Sequence, residues 1–214
     1  MAAANFSAAD VYVSQSNNYL MNRTSRLGLF LAALLLIPVF FTPIWSITLT
    51  APQYPDGIGM YIWVNDITGH ERHDIQNINI LNHYVGMQEI DPDQVPTLDI
   101  IPWVIAGLIA LAAAAAATGS RWLAWIWVAL FIISGVAGMY DFYMWGYEYG
   151  HNLDPRAAIK VPDMTYQPPV IGRETLLNIT AHSWPYWGTL WVTLSLLTGT
   201  GGLLWDRIAK KKGR

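Results

Sequence analysis

The side chains of this sequence that could bind a metal ion are imidazoles and thioethers, and they concentrate outside its long apolar stretches. The five histidines all lie there, at His70, His73, His83, His151 and His182. Three methionines lie there too, at Met60, Met87 and Met164. Imidazole and thioether ligands together suit copper, and Cu(I) in particular. Because histidine is rare inside apolar segments anyway, the same distribution is also expected of a chain that binds no metal.

Within this set, the fragment H-Y-V-G-M is the best candidate for part of a metal site. His83 and Met87 are four residues apart, so both would lie on one face of a helix. His182, just before the last apolar stretch, is the natural third ligand, and these three residues form the predicted copper site. The alternative is structural, with His83 hydrogen-bonded to the loop backbone. His70 and His73, three apart in the charged turn GHERHD, are expected to be solvated.

Asp141 is the only formal charge inside an apolar stretch. An ionisable group is costly in hydrocarbon, so such a residue is a functional candidate by default. Together with Glu148, it is a predicted site for a proton or a cation. The alternative is a carboxylate that pairs with Arg156 or Arg173, or that accepts hydrogen bonds from neighbouring tyrosines.

Several familiar chemistries are excluded by what the sequence lacks. It contains no cysteine, which rules out disulfides, thiolate metal sites and a cysteine nucleophile. The net charge of −3 gives no basic surface for nucleic acid, so no nucleic-acid partner is expected. No phosphate-binding glycine loop, G-x-S-x-G elbow or H-E-x-x-H helix is present. The apolar stretches hold no histidine for haem and almost no polar centre for transport.

Long apolar helices must position these residues, because 53% of the chain is hydrophobic and its mean hydropathy is +0.28. About 20 apolar residues in a helix cross a hydrocarbon core of about 30 Å. Four stretches have that length, at 27–48, 100–118, 122–145 and 185–205. Pro38 and Pro43 are expected to bend the first. The predicted fold class is therefore all-α, a four-transmembrane-helix bundle.

Lysine and arginine are retained on the cytoplasmic side of a membrane, and one topology puts most of the basic residues of this chain on that side. With both termini inside, the inner flanks hold eight of the twelve basic residues: Arg23, Arg26, Arg121, Arg207, Lys210, Lys211, Lys212 and Arg214. The outer loops hold the other four basic residues and twelve acidic ones. The predicted location is the bacterial inner membrane, with a multi-pass chain whose termini are both cytoplasmic.

Two long outer loops, 49–99 and 146–184, separate the spans, and the tails 1–26 and 206–214 are cytoplasmic. Loops of this length seldom lack a purpose. The alternating stretch Met60 to Val64 predicts a short strand.

Each outer loop is also predicted to carry one short interfacial helix. In the first loop, Ile78, Leu81 and Val85 recur at helical spacing, which predicts an amphipathic helix on the membrane surface. A second short helix is expected from Glu174 to about His182.

The turn TGSR between the second and third stretches is as short as a helical hairpin allows, so these helices are expected to pack as antiparallel neighbours. The run of alanines at 112–117 would let backbones approach closely. The alternative is that this run has no packing role.

Four strings in the loops carry a resemblance to a known group. They are APQYPDGIGMYIW, INILNHYVGM, YEYGHNLDPRAAIKVPDMTYQPPVIG and the final N-x-x-A-x-S-x-P. Together they resemble uncharacterised small bacterial membrane proteins encoded beside nitrous oxide reductase and its copper-maturation factors. The likeness covers roughly residues 43–185.

The resemblance implies a non-enzymatic membrane accessory protein that supports a periplasmic copper enzyme, such as nitrous oxide reductase, by copper handling or by docking. Copper is the implied cofactor, and a protein partner is expected at the outer face besides the lipid bilayer. The alternatives are a structural subunit of a larger respiratory membrane complex and a quinol or electron-transfer module.

Overall fold

The structure is a computed structural model, and it describes residues 20–159, 165–176 and 178–212. Most of the predicted N-terminal tail, residues 1–19, lies outside the described residues. Met164 and the last two residues of the predicted basic tail, 213–214, also lie outside them.

The described chain folds into a helical layer with a small β-sheet head at one end. The helices are α1 (Arg23–Leu36), α2 (Asp74–Val85), α3 (Thr97–Thr118), α4 (Arg121–His151) and α5 (Trp187–Lys212), with 3₁₀ turns at Ile37–Phe41 and Pro92–Gln94. The strands are β1 (Trp45–Ala51), β2 (Tyr54–Ile62), β3 (Ile67–Gly69), β4 (Gly172–Leu176) and β5 (Ile179–Pro185).

The first apolar stretch does not continue as one helix to residue 48. α1 ends at Leu36, and Pro38 enters a 3₁₀ turn, because proline has no N–H to continue the α-helical hydrogen bonds. Thr42 Oγ1 donates to the Pro38 carbonyl over 2.9 Å and closes the turn. The chain then becomes strand β1 at Trp45, so the outer end of the predicted span belongs to the sheet.

α1 and α5 lie side by side and run antiparallel. Near the start of α1, Ser25 Oγ donates to the Gly202 carbonyl of α5 over 2.8 Å. One to two turns further on, Ser195 Oγ of α5 donates to the Ala32 carbonyl over 2.8 Å. The start of α1 and the end of α5 therefore lie at the same end of the helical layer.

α3 and α4 form the predicted antiparallel hairpin. Gly119 ends α3 in the left-handed conformation, with φ 69°, and Ser120 caps the start of α4. Ala112 and Ala115 are fully buried, so the alanine run does have a packing role. Trp127 of α4 is also fully buried, and its indole N–H donates to the Leu108 carbonyl over 3.0 Å.

The two long loops meet in one antiparallel sheet with the order β3-β2-β1-β5-β4. β1 is central and pairs with β2 from the first loop and with β5 from the second loop. The outermost β1–β5 pair, Trp45 with Pro185, joins residues 140 positions apart in sequence (185 − 45). β2 overlaps the predicted strand, whereas β1, β4 and β5 were not predicted.

The predicted all-α fold class is therefore wrong, because the described chain is a mixed α/β structure with a five-stranded antiparallel sheet. The helix expected from Glu174 to His182 is instead the β4–β5 hairpin. Ile179 and Thr180 are β-branched, which favours a strand; both pair with β4, and Thr180 also pairs with β1. The predicted helix in the first loop exists as α2, but its buried residue Ile78 packs against the sheet.

Composition does not support the fourth predicted span. By length and composition, three helical segments of the described chain are apolar enough to cross a membrane: Arg23–Phe41, Thr97–Thr118 and Arg121–His151. α5 is not among them, because threonines, serines and glycines interrupt its leucines.

Two hydrophobic cores follow from this arrangement. The core of the helical layer surrounds Leu29 and Trp127, and the core of the head lies between the sheet and α2, around Ile47 and Ile78. α4 contributes to both cores, because Trp127 lies in the core of the helical layer and the C-terminal part of α4 brings Trp145 and Tyr149 to the head.

Candidate functional site

The structure does not bring the three predicted copper ligands together. His83 is exposed near the end of α2, and its ring lies 6.4 Å from that of Tyr84. α2 ends at Val85, and Gly86 takes the left-handed conformation with φ 83°, so Met87 leaves the helix before it can share a face with His83. Met87 turns inward and packs against the core of the head.

His182 lies on the opposite side of the sheet from α2. Its neighbours in β5, Ala181 and Ser183, are buried on the side of the head core, and side chains alternate along a strand. Across the sheet, His182 is in register with Thr48 of β1 and with Arg173 of β4. Among the described residues, no group of three or more histidines, aspartates and glutamates is arranged to hold a metal ion.

Met87 instead lines a cavity of about 80 Å³ in the head. The walls come from β1, β2, β5, α2, the C-terminal part of α4 and the segment at 165–168. Met60 of β2 contributes a second thioether to the same cavity. The lining is almost wholly apolar, with Asn82 and the aromatic residues Trp145, Tyr149 and Tyr166 as its polar members.

Two residues that line this cavity, Trp145 and Tyr166, each have a buried polar atom with no hydrogen-bond partner among the described residues, the Trp145 indole nitrogen and the Tyr166 hydroxyl. The Tyr166 residue is 5% exposed, and its backbone N–H donates to the Gly150 carbonyl over 3.0 Å. The Trp145 ring packs on Tyr149 with centroids 4.7 Å apart. The Tyr149 hydroxyl interacts electrostatically with the Trp145 indole, but it donates to the Glu89 carbonyl and does not meet hydrogen-bond geometry with the indole.

These two atoms are unusual, because nearly all buried polar groups in proteins are paired.

Sequence reasoning missed this cavity. Its walls come from segments far apart in the chain, and the only signal was that Met60 and Met87 both lie in the loops.

The predicted proton or cation site does not form a cluster either. Asp141 and Glu148 are both exposed on α4, as are the nearby apolar and aromatic residues Val136 and Tyr140. The alternative pairing with Arg156 does not occur. Arg156 instead bonds to Asp154, with Nη2 3.0 Å from Oδ2, and its guanidinium holds the pKa of that carboxyl at about 2.

A second polar cluster lies on the face of the sheet opposite the cavity. The Nε2 atom of His70 lies 3.0 Å from Ser46 Oγ, and its ring packs on Tyr61 with centroids 4.1 Å apart. Burial lowers the pKa of His70, and Asp74 together with the Met60 carbonyl opposes that shift in part. His70 is therefore not the solvated residue that the sequence suggested, whereas His73 is exposed.

The His70 contacts have a structural consequence. They tie the turn between β3 and α2 to the central strand β1.

No model of a known protein family matches this chain, and no curated protein is significantly similar to it.

Proposed function

We propose that α1, α3 and α4 anchor this chain in the bacterial inner membrane, with the head in the periplasm. The segments with the length and composition of membrane spans are α1 together with the 3₁₀ turn that follows it (Arg23–Phe41), α3 and α4. The end of the helical layer farthest from the head includes Arg23, Arg26 and Arg121, and the sequence places Lys210–Lys212 in the last turns of α5 at that same end. Positive charge of this kind is retained in the cytoplasm.

We propose further that the chain is a non-enzymatic accessory protein that supports a periplasmic copper enzyme such as nitrous oxide reductase. One observation carries this proposal: the four strings behind the resemblance converge on the head cavity. The first contributes Met60 and the second contributes Ile78 and Met87. The third contributes Tyr149 and Tyr166, and the fourth contributes Ala181.

The strings lie between residues 51 and 185 and meet at this cavity, which makes the cavity the best candidate for what this group of proteins shares. The two thioethers at the cavity suit Cu(I), which favours copper handling over simple docking as the form of support.

The proposal is tested by deleting this chain from a bacterium that respires nitrous oxide. We expect nitrous oxide consumption to fall, and the reductase purified from the deletion strain to contain less copper. Replacing the chain with the Met87→Leu variant, which keeps the volume but loses the thioether, should reproduce the copper deficit. The Met139→Leu variant is the matched control, since Met139 is exposed on α4 and lies outside the cavity wall.

Each outcome of this deletion has a separate meaning. A reductase with full copper but low activity in cells would replace copper handling with docking or electron delivery. Unchanged nitrous oxide consumption would overturn the accessory role altogether.

A further inference from the structure

The described residues that line the head cavity are uncharged, and two of them, Trp145 and Tyr166, have buried donors with no acceptor among the described residues. Among the described residues that line it, none is an aspartate, glutamate, lysine, arginine or histidine. A charged ligand would therefore enter without a counter-charge, at a cost of several kcal/mol. The lining selects a neutral molecule.

The unpartnered atoms define what that molecule must present. An indole N–H can only donate a hydrogen bond, so the partner of Trp145 must be an acceptor. Tyr166 lines the same cavity, and its hydroxyl can donate to the same kind of group. A carbonyl oxygen has two lone pairs and could accept from both.

The size and the walls of the cavity define the rest of the molecule. About 80 Å³ is several times the 10–15 Å³ that one water occupies on the same measure, which leaves room for a body the size of one ring. Trp145, Tyr149 and the thioethers of Met60 and Met87 offer flat and polarisable contacts. Such walls suit an apolar, planar or extended group better than a chain of hydroxyls.

We propose that this cavity binds one uncharged apolar molecule through a carbonyl oxygen that accepts hydrogen bonds from Trp145 and Tyr166. Two membrane compounds share this chemistry, the headgroup of a quinone and the ester of an acyl lipid. A Cu(I) ion on Met60 and Met87 would leave both donors unpaired, because a cation accepts no hydrogen bond. The ligand is therefore separate from the copper of the proposed function and does not depend on it.

The test uses the full chain purified in mild detergent. Thermal unfolding is followed while a short-chain quinone or a short-chain diacylglycerol is added, each in a separate titration. One of the two should raise the melting temperature in a saturable way, and the responding compound identifies the source. The organic extract of the untreated protein should contain that class of compound at up to one per chain.

Two variants remove single donors and keep an aromatic ring at each position, Trp145→Phe and Tyr166→Phe. Each should weaken binding of the responding compound about tenfold, the effect of losing a hydrogen bond worth about 1.4 kcal/mol. Tyr166→Phe should not harm folding, because it removes only a buried polar atom that has no partner among the described residues. Trp145→Phe also makes the side chain smaller, so its melting temperature without ligand is measured beside its binding. Trp103→Phe is the matched control, since Trp103 is 79% exposed on α3, and it should bind as the wild type does.

Three outcomes decide between this proposal and the copper proposal. If neither compound gives a saturable shift, or if both donor variants bind like the wild type, the ligand proposal is overturned. Loss of Cu(I) binding in Met87→Leu with ligand binding intact would support the two proposals separately. Loss of ligand binding in Trp145→Phe with Cu(I) stoichiometry unchanged would support the ligand proposal in the same way.

Discussion

At the scale of single residues, His70 fills a space over the sheet that a side chain at residue 59 would occupy. A Cβ placed at Gly59 would lie 2.5 Å from the imidazole and 2.7 Å from the Ile47 carbonyl. Glycine in the strand therefore lets the imidazole approach the backbone and reach Ser46. The carboxylate of Asp74 holds the same region together by accepting from the N–H groups of Gly59 and Glu71.

The burial of His70 makes the stability of the head depend on pH. Its pKa in the folded chain lies below the ordinary value of 6.5, so the unfolded chain takes up a proton first as the pH falls. The contribution of His70 to stability is therefore complete above pH 6.5 and decreases as the pH falls below that value. Thermal unfolding between about pH 5 and pH 8 should show this loss in the wild type.

The His70→Asn variant cannot gain that proton, so it should lose part of the pH slope, although it will also be less stable at every pH. His73→Asn is the control, since His73 is exposed and its side chain bonds only to Gln76 among the described contacts. An unchanged slope in His70→Asn would show that other groups cause the acid sensitivity.

At the scale of elements, the helical layer is held together where glycines of α5 meet larger side chains. Gly199 is buried against Trp127 of α4 and Ala32 of α1, whereas Gly201, two residues later on the same helix, faces open space. Trp127 cannot easily move aside, because it is fully buried and bonded to the Leu108 carbonyl. The glycine at position 199 is thus a packing requirement rather than a weak point of the helix.

Substituting alanine at these two glycines should therefore have opposite effects. In Gly199→Ala the new Cβ would lie 2.5 Å from the Trp127 ring, and overpacking of this kind costs about 1–3 kcal/mol. Gly201→Ala meets nothing within 4 Å and should stabilise the helix by up to about 1 kcal/mol. Melting temperatures of the two variants in the same detergent measure the difference, and equal values would contradict the packing role.

Sequence reasoning located the helices better than the strands, for a physical reason. The α3–α4 hairpin is specified by local apolar length and a short turn, which a sequence displays directly. β1 looked like the end of a span because its residues Trp45 to Thr48 are mostly apolar or β-branched. Its partners β2 and β5 come from different loops, and non-local pairing of this kind leaves no local pattern.

The same reason explains the predicted copper site. A shift of one residue in a strand moves every side chain to the other face, so sequence could not place His182 relative to Met87. The sequence did identify Met87 as a residue of interest, and it lies in the cavity wall. It gave no sign of Trp145 and Tyr166 as unpartnered donors, because that property depends on what surrounds them.

At the scale of the whole molecule, α4 connects the two hydrophobic cores. Its 31 residues correspond to about 46 Å of helix, longer than the hydrocarbon core of about 30 Å. If the membrane begins near Arg121, Asp141 lies about 30 Å along the helix, at the outer boundary rather than in the centre of the bilayer. This position resolves the apparent cost of a carboxylate in an apolar stretch, because headgroups and water hydrate it there.

The proposed orientation can be tested cleanly because the chain contains no cysteine, so a single introduced thiol is the only one to react. Asp56→Cys places a thiol at an exposed position of the head, and Ala117→Cys places one at the exposed end of α3, beside Arg26. With the head in the periplasm, Asp56→Cys should react with a membrane-impermeant maleimide in intact cells. Ala117→Cys should react only after the inner membrane is broken, because charged reagents do not cross the hydrocarbon core.

A third variant, Leu130→Cys, controls for the bilayer itself. Leu130 is 45% exposed on α4 near the middle of the proposed span, so lipid rather than protein would shield its thiol. It should stay unreactive even in broken membranes and react once detergent and denaturant expose it. Equal labelling of all three thiols in intact cells would place the chain outside the membrane, and the reverse order of Asp56→Cys and Ala117→Cys would put the head, with its cavity, in the cytoplasm.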